Sequence, residues 1–323
     1  MSGRRVDTSV LLRDGRRLAF AEYGDPAGLP VMLLHGLPGS RLAWGFLPGD
    51  PFPPGLRLIA PDRPGYGQSD PRPGRSLGDW ADDVAALADR LELGRFGIVG
   101  VSGGGPGALA CAFRMPDRLT RVGVVAGAAP TDAAGAFEGM SAVNRFFLKL
   151  AWRAPLLSAL NTRFVAAFVR RNPGRYIDLM QRKVHDVDRA VLAMPGIRDM
   201  LVRDFAEALR SGGQGMVDDM AANHGRAWGV RLDRIQTPVV FWYASLDRSM
   251  PPAMGRYLAA RIPGSAFQLV EDAGHLWPLI HLREVLAAVA KTGARGTASP
   301  ISELDRNRAA QPDGAQGTEE AQG

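Results

Sequence analysis

The sequence has a single cysteine and few lysines. Because Cys111 has no second cysteine to pair with, an internal disulfide and a metal site built from several cysteines are excluded. It lies in the apolar run Ala-Cys-Ala-Phe, which favours a small buried side chain over a reactive thiol. Only three of the 39 basic residues are lysine, so arginines spread along the chain supply the net charge of +6. No block of five or six like charges occurs, and we predict no nucleic-acid partner.

Long apolar segments are also missing. No stretch of about eighteen apolar residues occurs, and the first residues lack the apolar core of a secretory signal peptide. These absences predict a soluble cytoplasmic protein with no membrane partner, and they leave the oligomeric state open. A hydrophobic content of 46% and a charged content of 22% are typical of a globular protein with a large core.

Short apolar segments alternate with helical patterns along most of the chain. Six of them are bounded by glycine or proline and have the length of strands buried on both faces of a parallel sheet. They are Val31 to Leu34, Leu56 to Ala60, Phe96 to Val101, Val122 to Ala126, Val239 to Tyr243 and Phe267 to Val270. Earlier in the chain, Asp14-Gly15 separates two strand patterns, which predicts an antiparallel hairpin at the sheet edge. The predicted fold class is therefore α/β.

The alternation stops between residues 128 and 228. This stretch has helical patterning and no convincing strand, so we interpret it as a helical cap inserted into a core formed by residues 8–127 and 229–291. Because such a cap rests on the carboxyl edge of the sheet, some of its aromatic residues are expected to face a pocket: Phe146, Phe147, Trp152, Phe164 and Phe168. Its arginines are expected to form a solvated face: Arg163, Arg170, Arg171, Arg175 and Arg182. Residues 293–323 have the composition of a disordered tail.

A glycine-rich segment follows one of the predicted strands. It reads Gly100-Val101-Ser102-Gly103-Gly104 and precedes a helix-prone run. A serine with glycines two places to either side, at a junction from strand to helix, is typical of a nucleophile elbow. Side chains at the glycines would collide with the adjoining strand and helix. The segment could also hold a phosphate or merely turn the chain, but a dinucleotide site would need glycine in place of Ser102, and no P-loop Gly-Lys-Ser/Thr follows.

A serine nucleophile needs a base, and the base must be oriented by a third group. His275 is the candidate base, because it lies in a loop between a predicted strand and an amphipathic helix. Asp247, just beyond another strand end, is the candidate acid; Asp132 is its rival, and Asp272 is interpreted as a loop residue. Three other histidines are interpreted as structural: His185, His224 and His281.

The oxyanion of a tetrahedral intermediate needs hydrogen-bond donors. The amide of Gly103, at a helix N-terminus, is one candidate. The second is the amide of Leu37, in the loop His35-Gly36-Leu37-Pro38-Gly39 that follows a predicted strand. We interpret His35 as a loop-stabilising hydrogen-bonding residue rather than a base.

Taken together, these segments resemble the α/β-hydrolase superfamily over about residues 8 to 291. Five motifs occur in the family's order: His35 to Gly39, Pro61 to Asp70, Gly100 to Gly104, Asp247 and Gly274-His275. The resemblance implies a mostly parallel eight-stranded sheet flanked by helices, with a helical cap inserted after the sixth strand. It also implies no metal or organic cofactor, and it makes the segment from Asp62 to Asp70 a structural turn without a catalytic role.

The predicted function is that of a serine hydrolase. Ser102, His275 and Asp247 would act on a small or medium carboxylic ester through a covalent acyl-enzyme, with this small molecule as substrate. The serine argues against relatives with an aspartate nucleophile, such as haloalkane dehalogenases and epoxide hydrolases. Aminopeptidase, carbon–carbon bond hydrolase and cofactor-free peroxidase chemistry use the same triad and stay open. A lyase on the same scaffold and a non-catalytic ligand receptor also remain alternatives.

Overall fold

A single eight-stranded sheet lies at the centre of the computed structural model, which describes residues 6–291. Each of the predicted apolar segments forms a strand, with ends that shift by at most three residues. The strands are β1 (Val6–Leu11), β2 (Arg17–Gly24), β3 (Leu29–Leu34), β4 (Leu56–Pro61), β5 (Phe96–Val101), β6 (Leu119–Val125), β7 (Val239–Ala244) and β8 (Ala266–Val270). The predicted tail, residues 293–323, lies outside the described residues.

The strands are arranged in the order β1-β2-β4-β3-β5-β6-β7-β8. Strand β2 runs antiparallel to both β1 and β4, and all other neighbouring pairs are parallel. The predicted α/β fold with a mostly parallel eight-stranded sheet is therefore confirmed. The order reverses beside β3, because the chain first adds β4 on one side of it and then crosses back to add β5 on the other. Loops that leave such a reversal diverge from neighbouring strand ends and form a crevice.

Helices cover both faces of the sheet. They are α1 (Leu77–Arg90), α2 (Gly105–Arg114), α3 (Ala142–Arg153), α4 (Pro155–Arg171), α5 (Pro173–Gln181), α6 (Asp186–Ala193), α7 (Ile197–Ala208), α8 (Gln214–Met220), α9 (Pro252–Ala259) and α10 (Pro278–Ala290). Helix α1 begins with a capping box, in which the Ser76 hydroxyl accepts from the Asp79 amide and the Asp79 carboxylate accepts from the Ser76 amide.

The core has two halves because alternate strand residues point to opposite faces of the sheet. In β3, Met32 belongs to the half that packs against α1, α2 and α9, where Trp80 is fully buried. Its neighbour Leu33 belongs to the other half, which contains Leu286 of α10 and the inner side chains of the cap. Both faces of the parallel strands are therefore covered, which explains why these strands are continuous apolar runs in the sequence.

Helices α3 to α8 occupy the stretch predicted to be the cap, between β6 and β7, and residues 128–228 contain no strand. Three buried aspartates join these helices to the sheet domain. Asp188 and Asp204 accept hydrogen bonds from backbone amides of the sheet domain, and Asp219 contacts two buried arginines there. Buried carboxylates with such partners fix one arrangement of the two parts, since any other would leave the charges unpaired.

Candidate active site

Ser102 lies at the tight turn between β5 and α2. Its φ is +52°, a left-handed conformation that non-glycine residues adopt rarely and that often marks a functional position. A Cβ at Gly100 would lie 2.6 Å from the Gly104 carbonyl oxygen, and a Cβ at Gly104 would lie 2.5 Å from the Leu34 carbonyl oxygen. The structure therefore supplies the steric reason for both glycines.

Asp247 and His275 meet at the carboxyl ends of β7 and β8. The His275 Nδ1 lies 2.7 Å from the Asp247 Oδ2. The other carboxylate oxygen accepts hydrogen bonds from the amides of Ser249 (2.7 Å) and Met250 (2.9 Å). With the buried carboxylate as acceptor, Nδ1 carries the proton, so the Nε2 of the neutral ring is left to accept one.

Electrostatics favour the charged form of the His275 ring. Burial by itself lowers the pKa of His275, but the Asp247 carboxylate outweighs it, and the nearby Asp188 carboxylate acts in the same direction. The net effect raises the pKa of His275 above its usual value of 6.5. A ring in this environment is a stronger proton acceptor than an isolated histidine.

Asp188 of helix α6 holds the loop that carries the histidine. Its carboxylate accepts hydrogen bonds from the amides of His275 (3.1 Å) and Leu276 (2.8 Å). A Cβ at Gly274 would collide with the same carboxylate, so the glycine before the histidine leaves room for a cap residue. Sequence reasoning missed Asp188, because it lies 87 residues before His275 and in no motif.

The loop after β3 packs against the Ser102 turn. A Cβ at Gly36 would lie 3.6 Å from the Ser102 Cβ, and the Leu37 nitrogen lies 3.4 Å from the position of a Cβ at Gly103. The Gly36 carbonyl accepts from the Arg63 guanidinium at 2.7 Å. Because the carbonyl and N–H of a trans peptide point in opposite directions, this contact turns the Leu37 N–H away from Arg63.

The Gly103 N–H is oriented in a similar way. The carbonyl of the same peptide unit, that of Ser102, accepts from the Gly105 amide at the start of α2. The Gly103 carbonyl in turn accepts from the Asn223 side-chain amide of the cap at 3.1 Å. Asn223 was also missed at the sequence level, since no pattern connects residue 223 to residue 103.

A buried charge cluster supports the loop after β3. The Asp219 carboxylate contacts Arg63 (2.9 Å), Arg75 and the Tyr66 hydroxyl (2.8 Å). Burial by itself raises the pKa of Asp219, but the two arginines outweigh it and lower the pKa to about 2. The Arg63 guanidinium is therefore held by an anion of the cap while it donates to the carbonyls of His35 and Gly36.

His35 has hydrogen bonds on both ring nitrogens. Its Nδ1 lies 2.9 Å from the Gly36 oxygen, and its Nε2 accepts from the Arg63 amide at 3.1 Å. Burial and then Arg63 lower the pKa of His35 well below 6.5, so the ring is neutral. This geometry matches the interpretation of His35 as a loop-stabilising residue.

None of the other candidates forms a hydrogen bond with the His275 ring within residues 6–291. Asp132 is exposed beyond β6, and His275 pairs with Asp247 instead. Asp272 is an exposed loop residue whose amide donates to the Ser245 hydroxyl at 2.9 Å. The three remaining histidines have structural contacts or burial: His185 caps α6, His224 is buried with its pKa lowered to about 4, and His281 contacts Glu284.

The predicted nucleophile and base are not joined in this structure. Within residues 6–291, the Ser102 hydroxyl makes no hydrogen bond to the His275 ring. Contacts of this kind are often long in free enzymes and shorten when substrate binds.

The described residues offer no metal site. Within residues 6–291, no group of three histidine, cysteine or carboxylate side chains is arranged to hold a metal ion.

The cap aromatics predicted to face a pocket are largely accessible. Phe146, Phe147, Trp152 and Phe164 are exposed, and Phe168 is half-buried. Which of them contact a substrate stays a prediction.

Comparison with known proteins identifies the family of this chain. Residues 30–281 match the family described as the alpha/beta hydrolase fold. The chain is 27% identical over 281 residues to 2-hydroxymuconate semialdehyde hydrolase of Pseudomonas putida, covering 84% of this chain and 88% of that protein. It is also 27% identical over 309 residues to rhodomycin D methylesterase of Streptomyces sp. (strain C5), covering 88% and 96%.

A solved structure shows the same fold. A thermophilic esterase from Thermogutta terrifontis (malate bound) superposes with a TM-score of 0.63 at 27% identity, covering 88% of this chain and 96% of the esterase. Three further curated relatives are matched over only part of their own length, namely 41%, 63% and 45%. The family match nevertheless extends over most of the chain. This chain belongs to the α/β-hydrolase family.

Proposed function

We propose that the protein is a serine hydrolase that cleaves a small or medium carboxylic ester. The observation that carries this proposal is the 2.7 Å contact between His275 Nδ1 and Asp247, at the same sheet edge as the strained Ser102 turn. A hydroxyl nucleophile is activated by a base that a buried carboxylate orients, and we place Ser102 and His275 in these roles.

The proposed reaction begins with attack of the Ser102 Oγ on the ester carbonyl carbon. The Nε2 of His275 takes the hydroxyl proton, and Asp247 stabilises the resulting imidazolium. The imidazolium then gives this proton to the leaving alcohol as the carbon–oxygen bond breaks. A water molecule then gives a proton to the same ring and attacks the acyl-enzyme carbonyl. The imidazolium returns that proton to the Ser102 Oγ as the bond between the acyl carbon and Oγ breaks, which releases the acid and free Ser102.

The amides of Leu37 and Gly103 are the proposed donors to the oxyanion. Each such donor contributes about 3 kcal/mol to stabilisation of the transition state. Arg63 acts through Leu37 as a positioning residue, because its contact with the Gly36 carbonyl sets the direction of the Leu37 N–H. The Gly105 amide has the same effect on Gly103 through the Ser102 carbonyl.

The choice of an ester is supported by two of the relatives. Both the methylesterase and the thermophilic esterase match 88% of this chain. Carbon–carbon bond hydrolysis is the second candidate, supported by the similarity to 2-hydroxymuconate semialdehyde hydrolase. The two reactions share the serine, base and acid and differ in the shape of the pocket.

A serine-directed fluorophosphonate tests the nucleophile. We expect one adduct, located at Ser102 by mass spectrometry, and none in the Ser102→Ala variant. Ser265→Ala provides the matched control, because Ser265 lies just before the amino end of β8, at the opposite sheet edge, and its hydroxyl donates to the Ala259 carbonyl. An unlabelled folded protein, or an adduct that persists in Ser102→Ala, contradicts the proposal.

A panel of esters with graded acyl length tests the substrate class. We expect turnover that depends on Ser102 and peaks at a short or medium chain. If Ser102 is labelled but no ester is cleaved, the ester proposal is wrong and the carbon–carbon substrates of the second candidate become the next assay.

A further inference from the structure

Helix α4 of the cap has its apolar side outward. Leu156, Leu160 and Phe164 follow one another at intervals of four residues and are 86%, 65% and 74% exposed. The buried side of the same helix consists of smaller or polar side chains: Ser158, Thr162, Ala166 and Val169. A surface helix normally places its large apolar residues toward the core. The polarity of α4 is therefore reversed.

The neighbouring helix α3 adds to this apolar surface. Val143 and Phe146 are 52% and 60% exposed, and the Phe146 and Phe147 rings pack edge to face at 5.4 Å. Eight of the thirteen large apolar side chains that are exposed within residues 6–291 lie between positions 143 and 164. Clusters of this kind mark interaction sites on soluble domains. We call the exposed surface of α3 and α4 the outer cap face.

The charge on the outer cap face has one sign. From residue 139 to residue 177 the chain contains no aspartate or glutamate and seven basic residues. All seven are exposed, and none forms an ion pair with any residue of the described range 6–291: Arg145, Lys149, Arg153, Arg163, Arg170, Arg171 and Arg175. Exposed arginines elsewhere do pair, as Arg114 does with Asp82 and Arg198 with Asp178.

The apolar side chains and the positive charge together favour one kind of occupant for the outer cap face. A second copy of the chain would bring together two sets of the six unpaired cations that α3 and α4 carry, so self-association through this face is opposed by charge. Exposed leucine and phenylalanine bordered by arginine, without acidic residues, match the requirements of a helix that lies in the interface of an anionic bilayer. We propose that the outer cap face docks on membranes containing anionic lipid.

Docking of this kind does not need a transmembrane segment. No helix in the described part of the chain is long and apolar enough to cross a membrane, and the proposed contact is peripheral. The prediction of no membrane partner was based on the missing spanning segment, and the prediction of a solvated arginine face did not include the apolar side chains beside it. The proposal replaces both, and it does not depend on the proposed hydrolase activity.

The outer cap face is close to the candidate active site. Both α3 and α4 pack against the turn Ala221–Gly225. Asn223 of that turn donates to the Gly103 carbonyl at 3.1 Å. Helices α3 and α4 and the segment Ala221–Gly225 would therefore lie between a docked bilayer and the Ser102 turn.

Vesicle sedimentation with the full chain tests the proposal. We expect the protein to sediment with vesicles of phosphatidylcholine mixed with phosphatidylglycerol, and to remain in solution with phosphatidylcholine alone. Binding should weaken as salt is raised, because the arginine contribution is screened. Equal binding to both vesicle types, or no binding to either, overturns the proposal.

Two pairs of variants separate the apolar and basic contributions. Leu160→Ser with Phe164→Ser should weaken binding by about tenfold or more, since two inserted side chains are lost. The matched control, Leu11→Ser with Leu29→Ser, changes exposed leucines on strands β1 and β3 and should bind as the wild type does. Loss of binding in the control but not in the cap variant contradicts the proposal.

For the basic contribution, Arg163→Gln with Arg170→Gln should weaken vesicle binding by about fivefold for each cation removed. Arg13→Gln with Arg90→Gln, two exposed arginines outside the cap, should have a much smaller effect. The melting temperature and the far-UV circular dichroism spectrum should be unchanged in all four variants, which shows that they are folded. Light scattering that gives a dimer for the wild type and a monomer for the Leu160→Ser, Phe164→Ser variant would assign the face to a second copy and overturn the proposal.

Discussion

At the scale of single residues, the two carboxylate oxygens of Asp247 have different hydrogen-bond partners. One oxygen is fixed by the amides of Ser249 and Met250, and the other faces the His275 ring. The ring is thereby held in one orientation with Nε2 free to accept a proton. The rival acid, Asp132, is exposed and lacks this connection.

Replacing Asp247 by asparagine tests its role directly. We expect kcat for ester cleavage to fall by about 10⁴-fold, because an amide does not stabilise the imidazolium and favours the wrong ring tautomer. The matched control is Asp132→Asn, with kcat close to that of the wild type. A large loss in Asp132→Asn, with little change in Asp247→Asn, would show that the acid has been assigned to the wrong residue.

The raised pKa of His275 predicts the pH dependence of ester cleavage. In the proposed mechanism His275 must be neutral to take the Ser102 proton, so kcat/KM should fall as the pH drops through the pKa of His275, with a midpoint above 6.5. Asp188→Asn removes a nearby negative charge and should move this midpoint to lower pH. Asp186→Asn, on the same helix but exposed, should leave it in place. A midpoint in Asp188→Asn at or above the wild-type value contradicts the predicted electrostatic effect.

At the scale of elements, the site is formed where two neighbouring strands end. Strands β3 and β5 are adjacent in the sheet, so the loop that holds Leu37 and the turn that holds Ser102 leave it side by side. The loop has no regular structure of its own and is held by Arg63, which donates to two of its carbonyls. The planar guanidinium has enough donors in a fixed geometry to make both contacts while it is paired with Asp219.

Arg63→Lys keeps the positive charge but loses the forked geometry. We expect kcat to fall by about tenfold to a hundredfold with KM nearly unchanged, because a displaced Leu37 amide weakens only the transition-state contact. Arg72→Lys, in which the arginine pairs with Asp79 near the surface, should keep wild-type kinetics. If Arg63→Lys raises KM and leaves kcat unchanged, Arg63 does not position the oxyanion donor.

At the scale of the whole molecule, the cap and the sheet domain are joined through buried polar contacts. Asp219 is the central anion of one such contact, with Arg63 and Arg75 both buried against it. Both arginines lie in the segment between β4 and α1, whereas the aspartate lies in helix α8. Removing the anion leaves two buried cations without their partner, which costs far more than losing a surface ion pair.

Asp219→Asn should lower the free energy of unfolding by about 3 to 5 kcal/mol at neutral pH, measured by urea denaturation. Asp82→Asn breaks the exposed pair with Arg114 and should change it by less than about 1 kcal/mol. Because the pKa of Asp219 is lowered to about 2, its contribution is present above the unfolded pKa of 3.8 and is lost as the pH falls through 2. The difference between wild type and Asp219→Asn should therefore shrink in that window, and a constant difference contradicts the mechanism.

Several parts of the fold and site could be predicted because their signals are local. Strands β3 and β5 are continuous apolar runs bounded by glycine or proline, and Asp247 and His275 each follow the end of such a run within a few residues. Strand β6 begins at Leu119, three residues earlier than predicted. The prediction missed this start because Thr120 and Arg121 are polar, half-buried residues that interrupt the apolar pattern. Asp188 could not be found in this way, since the amide that it accepts from lies 87 residues further along the chain.

The sequence by itself determined the α/β class, the chain order of serine, aspartate and histidine, and the glycines that make room for the Ser102 turn. These depend on residues that are neighbours in the chain. Only the tertiary structure decided that Asp247 rather than Asp132 meets His275, that Arg63 and Asp219 hold the loop of Leu37, and that Phe164 faces outward. Contacts between residues that are far apart in the chain, and the side of a helix that is exposed, both depend on what packs against each element. No local sequence pattern contains that information.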